Sequence, residues 1–335
     1  MIGLFDSGVG GLSVWKELVK IMPDERYIYV SDNGYCPYGP KPKADILDRA
    51  KKITEFLIDK GADIIVVACN TATAAAIETL RKTYSLPFVG MEPAVKPAAL
   101  NSSTGVIGVL ATQGTFKGEL YLRTLHKFAS NTKVIEQIGT GLVELVENGN
   151  TDSEEAKELL EKYLRPMLEE GADHLVLGCT HYPFLTDTIR KITGDSVAIV
   201  NPAPAIASRT HELLRELNIQ SKSPDGVNLF YTTGGNIQLM EKMVGEIIGN
   251  ENPEMVVGNE FHTIKEKYPD SIAIHVIRDN YEHESMTDEQ KRHITENALD
   301  GYDVYDKIIH NITLEKLNMD AISLVREVED NEKND

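Results

Sequence analysis

The chain has 335 residues, 41% of them hydrophobic, which is enough for two domains of ordinary size, each with its own core. Three cysteines, few and odd in number, exclude a disulfide framework and point to free thiols in a reducing, cytoplasmic setting. A formal net charge of −18 excludes a general nucleic-acid or acidic-membrane binder, because the summed field repels phosphate, and no apolar run approaches the about 20 residues of a membrane span.

For two thirds of the chain, short apolar runs alternate with segments of helical period, the pattern of βαβ units around a parallel sheet. The start, MIGLFDSG, has no basic region followed by an apolar core and is read without a leader. Residues 2–5, 27–30, 64–68 and 88–90 read as strands, with helices over 12–21, 44–59 and 71–84. The Pro-bearing stretch MEPAVKPAALNSSTG then leads to GVIGVLATQGT, which restarts the plan of MIGLFDSGVGG. Residues 134–137, 174–178 and 197–200 supply further strands, and 154–170 and 203–217 further helices. VNLFYTTGG and NIQLMEKMVGEIIG read as one more strand and helix, expected to return to the first half.

The fold class expected is α/β, with two pseudo-symmetric doubly wound parallel-sheet domains facing a central cleft, plus a C-terminal mostly helical extension. The boundaries expected are 1–96 with 209–257 for the first domain, 97–208 for the second and 258–335 for the extension. Residues 260–335 carry 19 acidic and 9 basic side chains, and the final EVEDNEKND has the composition of a disordered tail.

One phrase occurs twice: GADIIVVACNTATAA and GADHLVLGCTHYPFL place Cys69 and Cys179 at matching points, 110 positions apart. Each follows the last apolar residue of a buried-type strand and precedes a helix, where open α/β sheets collect ligand groups and helix amides can stabilise a thiolate. A cysteine is often only a core residue, but both of these are followed by polar residues rather than a continuing core. Zinc is a second alternative, since Cys179 and His181 are close, but no CxxC or HxxxH companion supplies further ligands; CxxC spacing for a redox pair is absent too. The remaining alternative is two thiols facing one carbon, one removing a proton while the other returns one on the opposite face. A thiol suits either task near neutral pH.

IGLFDSGVGGLSV, YCPYGPK, VVACNTATAA, MEPAVKPA, LATQGT and LGCTHYPFL occur in that order, and together they resemble glutamate racemases of the aspartate/glutamate racemase superfamily, from residue 1 to about 258. The resemblance implies a cofactor-independent enzyme that interconverts L- and D-glutamate for peptidoglycan, with no resident metal. It implies that Cys69 and Cys179 are the acid/base pair, Asp6 assists Cys69, and His181 and Glu147 serve Cys179. Asp6 and Ser7 would hold the substrate amine, and Asn70, Thr71 and Thr180 the α-carboxylate. Tyr38 and Gly39, with Thr112 and Thr115, would hold the side-chain carboxylate.

Beside the resemblance, the residues leave plainer readings in view. Asp6 followed by Ser7 and a Gly-rich loop fails the GxGxxG pattern at Ser13, so a carboxylate for an ammonium group fits better than a phosphate cradle; a simple N-cap is the alternative. Cys36, in a Pro/Gly loop with no counterpart in the second half, is expected to be dispensable. Glutamate as small-molecule substrate, a homodimer, and no nucleic acid or membrane are the partners expected. Rival readings are a racemase of aspartate or a related acid, and a non-catalytic module on a racemase fold.

Overall fold

The computed structural model describes residues 1–220, 228–234, 237–248, 254–256 and 276–278. In chain order the elements are β1 (Ile2–Asp6), α1 (Leu12–Ile21), β2 (Tyr27–Ser31), α2 (Lys43–Asp59), β3 (Ile64–Val67), α3 (Asn70–Thr83), β4 (Phe88–Gly90) and α4 (Val95–Asn101). They continue with β5 (Val106–Ala111), α5 (Gln113–Phe116), α6 (Glu119–Phe128), β6 (Lys133–Ile138), α7 (Leu142–Glu147), α8 (Glu154–Glu169), β7 (His174–Gly178) and α9 (Thr186–Thr193). The last are β8 (Ala198–Val200), α10 (Ala203–Leu217), β9 (Asn228–Thr232), α11 (Ile237–Ile248), β10 (Glu254–Val256) and β11 (Val276–Arg278).

Two parallel sheets result. The first has the order β4-β3-β1-β2-β9 and the second β6-β5-β7-β8. Reading β5, β6, β7 and β8 for β1, β2, β3 and β4 superimposes one order on the other, so the sequence repeat is a repeat of topology. In each sheet the chain leaves the central strand, β1 or β5, in one direction and returns on its other side, as β3 or β7. The carboxyl ends on either side of that reversal form the crevice where open α/β sheets bind ligands.

The repeated GAD triplets have a structural reason. Gly61 and Gly171 follow α2 and α8 with φ of +85° and +81°, a left-handed conformation that glycine adopts without steric cost, and the next residues' N–H groups reach back to Leu57 and Met167. Asp63 then takes the N-terminal ammonium at 2.6 Å, just before β1, while Asp173 accepts the Ser103 and Thr104 N–H groups, just before β5. Each triplet stops a helix and pins the neighbouring central strand, which fixes the start of the strand that ends in cysteine.

Residues 2–5 and 64–67 are fully buried, as expected for strands covered by helices on both faces. A large apolar cluster joins the halves: Trp15, edge-on to Phe230 with centroids 4.8 Å apart, belongs to the same contiguous core as Leu160, Leu177 and Tyr182. β9 pairs with β2 at the edge of the first sheet. β10 and β11 pair antiparallel, so Val276–Arg278 is a strand within the extension. The helices expected elsewhere in residues 258–335 lie outside the described residues.

Candidate active site

Cys69 is the N-cap of α3. Its backbone is extended, and its Sγ accepts the Ala72 N–H at 3.4 Å, so the sulfur sits on the positive end of a 14-residue helix. The Ser7 hydroxyl is 3.9 Å away. Only 4% of Cys69 is exposed; burial, with the adjacent Asp6 carboxyl, pushes its thiol well above the ordinary range.

Asp6 is fully buried at the end of β1. Its Oδ2 accepts the Gly11 N–H at 2.7 Å and the Thr180 hydroxyl at 3.4 Å, whereas Oδ1 is buried without a partner. The carboxylate thus braces the turn before α1 by taking the Gly11 N–H, but it is not the N-cap of that helix, which is Gly11, and its second oxygen is left unpaired. Burial raises its pKa despite the opposing pull of His181 and Cys69.

Cys179, 7% exposed, directly follows β7, as Cys69 follows β3 after one further residue. Its Sγ is 3.7 Å from His181 Nδ1, and His181 Nε2 is 2.6 Å from Glu147 Oε1 at the end of α7. Burial disfavours the charged imidazole, but contacts with Cys179, Cys36 and Glu147 outweigh it and hold the ring's pKa well above the usual value. Glu147 in turn is held below the usual carboxylate range: burial opposes, while His181, Asn33 Nδ2 and the Val9 N–H, at 2.8 Å, all favour the anion.

The remaining expected residues fall around this pair unevenly. Thr71, Thr112 and Thr115 form one hydroxyl chain, with Oγ1 atoms 2.8 Å and 2.9 Å apart, that crosses from the first half to the second. Gly39 lies against Thr112: a Cβ there would come within 3.1 Å of the threonine Cβ. Asn70 is buried at the start of α3 with Oδ1 unpartnered. The hydroxyl of Tyr38 is committed elsewhere: it donates to Asp32 Oδ2 at 2.5 Å, so the loop's contribution to a ligand falls to the main chain of Tyr38 and Gly39.

Sequence reasoning missed several supporting groups. Asp32 is fully buried, accepts from Tyr38, Thr233 and Arg49, and pairs with the Arg49 guanidinium, which stacks on the Tyr35 ring. Gly34 N–H donates to the Thr233 hydroxyl, tying the loop over 33–39 to the end of β9. Nothing in the local sequence pairs positions 32, 49 and 233. The glycines of SGVGG carry a signal that was legible but read too narrowly: a Cβ on Gly8 would collide with Glu147 Oε1 at 1.8 Å, and one on Gly10 with His181 Nδ1 at 2.3 Å. The loop is bare because side chains from the other half occupy the space. Cys36, expected to be a bystander, has its Sγ 3.6 Å from Glu147 Oε1.

The arrangement places one buried thiol with a carboxyl group and the other with a protonatable imidazole, at the carboxyl ends of equivalent strands, with hydroxyls and helix amides between them. Residues 2–210 match the Asp/Glu/Hydantoin racemase family model. The glutamate racemase of Ectopseudomonas mendocina is 44% identical over 251 residues, covering 75% of this chain and 95% of that protein. Among solved structures, glutamate racemase isoform RacE1 of Bacillus anthracis superposes with a TM-score of 0.68 at 33% identity, over 75% of this chain and 95% of its own. Escherichia coli glutamate racemase in complex with L-glutamate and the activator UDP-MurNAc-ala does so with 0.66 at 33% identity, over 73% and 94%.

Proposed function

The chain belongs to the Asp/Glu/Hydantoin racemase family, and from that premise we propose that it racemises glutamate by two-base proton transfer between Cys69 and Cys179. The observation that carries the reading is the equivalence of the two thiols: each lies just past the carboxyl end of the strand next to the central one in its own sheet, one accompanied by Asp6, the other by His181.

In one direction the Cys179 sulfur, as thiolate, takes the α-proton, and the Cys69 thiol delivers its own proton to the opposite face of the carbanion; the reverse direction exchanges the roles. Asp6 is placed for the substrate ammonium, whose charge stabilises the carboxylate that burial otherwise disfavours. His181, kept cationic by Glu147, stabilises an anionic Cys179 sulfur and can return a proton to it through Nδ1. In this reading the start of α3, Asn70 and the Thr71–Thr112–Thr115 chain, with Thr180, bind the two carboxylates, Ser7 the amine and Gly39 the distal end; the contiguous hydroxyls of Thr71, Thr112 and Thr115 support it. These fixed dipoles must supply much of the stabilisation of the carbanion, since the α-hydrogen is a very weak acid and the chemistry needs no imine-forming cofactor. Residues 1–96 with 209–257 and residues 97–208 are taken as the two domains that move about this cleft, and 258–335 as the extension. A homodimer working in the cytoplasm and supplying D-glutamate to peptidoglycan completes the reading.

Proton NMR of L-glutamate in D₂O, followed alongside optical rotation with no added cofactor, tests it. Loss of the α-proton signal together with decay of rotation is expected, with the rate falling about 10²- to 10⁴-fold in Cys69→Ala or Cys179→Ala. Exchange of aspartate but not glutamate would overturn the substrate and keep the mechanism; exchange of neither would overturn both.

A further inference from the structure

The fold carries Cys36 into a cluster of three different metal-ligating side chains. Its Sγ lies 3.6 Å from Glu147 Oε1, that oxygen lies 2.6 Å from His181 Nε2, and the three ligand atoms all lie within 4.8 Å of one another. We propose that Cys36, Glu147 and His181 form a site for a zinc-like divalent cation, whose binding arrests the acid/base cycle at Cys179. The arrest, though not the binding, rests on the role proposed for His181.

The donor set is one thiolate, one imidazole and one carboxylate, which suits zinc and its neighbours rather than magnesium or calcium, and leaves a fourth position for water. In a tetrahedral site with bonds of about 2.0–2.3 Å the ligand atoms stand about 3.3–3.7 Å apart. The sulfur and oxygen already have that separation; the nitrogen and oxygen must open by less than 1 Å. Cys36 is partly exposed and the Glu147 side chain is 13% exposed, so an ion reaches the ligands from the rim while His181 forms the buried floor. Binding displaces the Cys36 thiol proton and the Nε2 proton of His181.

Two consequences follow from where these residues come from. Coordination through Nε2 leaves the ring's remaining proton on Nδ1, facing the Cys179 sulfur at 3.7 Å, so the imidazole can no longer alternate between two protonation states in step with that thiol. Cys36 lies on the loop after β2 and the other two ligands on the second half, so the ion also ties the halves together where Glu147 already holds the Val9 N–H and Asn33.

The test uses the full chain freed of metal by chelation, titrated with Co²⁺ as a spectroscopic probe and then with Zn²⁺. One equivalent of Co²⁺ should develop a near-ultraviolet thiolate charge-transfer band that Zn²⁺ displaces and that is absent from Cys36→Ala and from Cys36→Ser, which preserves the side chain's size. In the D₂O exchange assay, Zn²⁺ should inhibit the parent chain saturably. Cys36→Ala, referred to its own metal-free rate, should need at least about 10-fold more Zn²⁺ for the same fractional inhibition. A cobalt band unchanged in both variants, equal zinc sensitivity, or no stoichiometric binding would each overturn the site; the first two would assign the metal to Cys69 or Cys179 instead. The cobalt titration needs no turnover, so a chain inactive on glutamate that still shows the Cys36-dependent band would fail the functional reading and retain the metal site.

Discussion

Glu147 touches His181, so in the proposed reaction its part is to position and charge the imidazole. Glu147→Gln removes a carboxylate that raises the His181 pKa; the pKa then falls, the imidazolium is lost at lower pH, and the alkaline limb of the kcat profile moves to lower pH. The rate should fall about 10- to 100-fold. Because the two enantiomers have equal free energy, kcat/KM must drop by the same factor in both directions while kcat and KM divide unequally. A pH profile measured in both directions checks this, and an alkaline limb that stays in place would falsify the role. Arg49→Met is a different kind of change. It leaves the fully buried Asp32 without its cation, which costs about 3–5 kcal/mol, and thermal unfolding should show Tm lowered by several degrees. Cys69 and Cys179 stood out as candidates from residue type and repeat spacing, and Asp6 and His181 from their neighbours together with the family resemblance; Asp32 and Arg49 did not stand out, because a buried ion pair between positions 17 apart leaves no local pattern.

At the level of elements, the Gly-rich turn between β1 and α1 is explained by what approaches it. Tyr29 holds the turn by donating its hydroxyl to the Gly8 carbonyl at 2.6 Å, and Glu147 and His181 pack against it from across the cleft. Gly10→Ala should therefore disturb catalysis more than folding. The added methyl meets the His181 ring, so displacement of the ring costs about 10²-fold in kcat/KM, while overpacking lowers stability by only about 1–3 kcal/mol. Kinetics and thermal melts on the same sample separate the two; a variant with a lowered Tm and unchanged kinetics would show that the ring finds another place. The parallel strands were legible to within a residue or two: β1, β2 and β3 are buried on both faces and their apolar runs are continuous, whereas β6 and β8 are partly exposed, and β10 and β11 were not expected. β1 runs one residue further than the expected 2–5, to include Asp6, because that residue's backbone pairs in register with Ser31 even though its side chain is polar.

Over the whole molecule the two halves are joined by polar contacts as well as by a shared core. The Ser13 hydroxyl donates to the Thr180 carbonyl at 2.9 Å, Thr180 reaches Asp6, Thr71 meets Thr112, and Glu147 holds the Val9 N–H. Both thiols are nearly inaccessible in this arrangement, so the proposed reaction predicts that the halves separate to admit a substrate. Small-angle scattering with and without saturating D-glutamate should show the ligand-bound protein more compact, and superimposable profiles would count against hinged closure. Among the described residues no helix is long and apolar enough to cross a membrane.

The sequence by itself determined the repeat, the α/β class and the two cysteines, because strand burial, helix stops at glycine and the placing of polar groups at strand ends are local consequences of residue order. Only the tertiary structure decided which distant groups share a space: Oδ1 of Asp6 left without a partner, the hydroxyl of Tyr38 given to Asp32, Glu147 bound at once to His181 and the turn after β1, and Cys36 brought to both. The reason is physical. Most contacts across the cleft join groups more than a hundred positions apart, and their partners are chosen by how two sheets dock and by which polar atoms remain unsatisfied after they do, neither of which is written in any one segment.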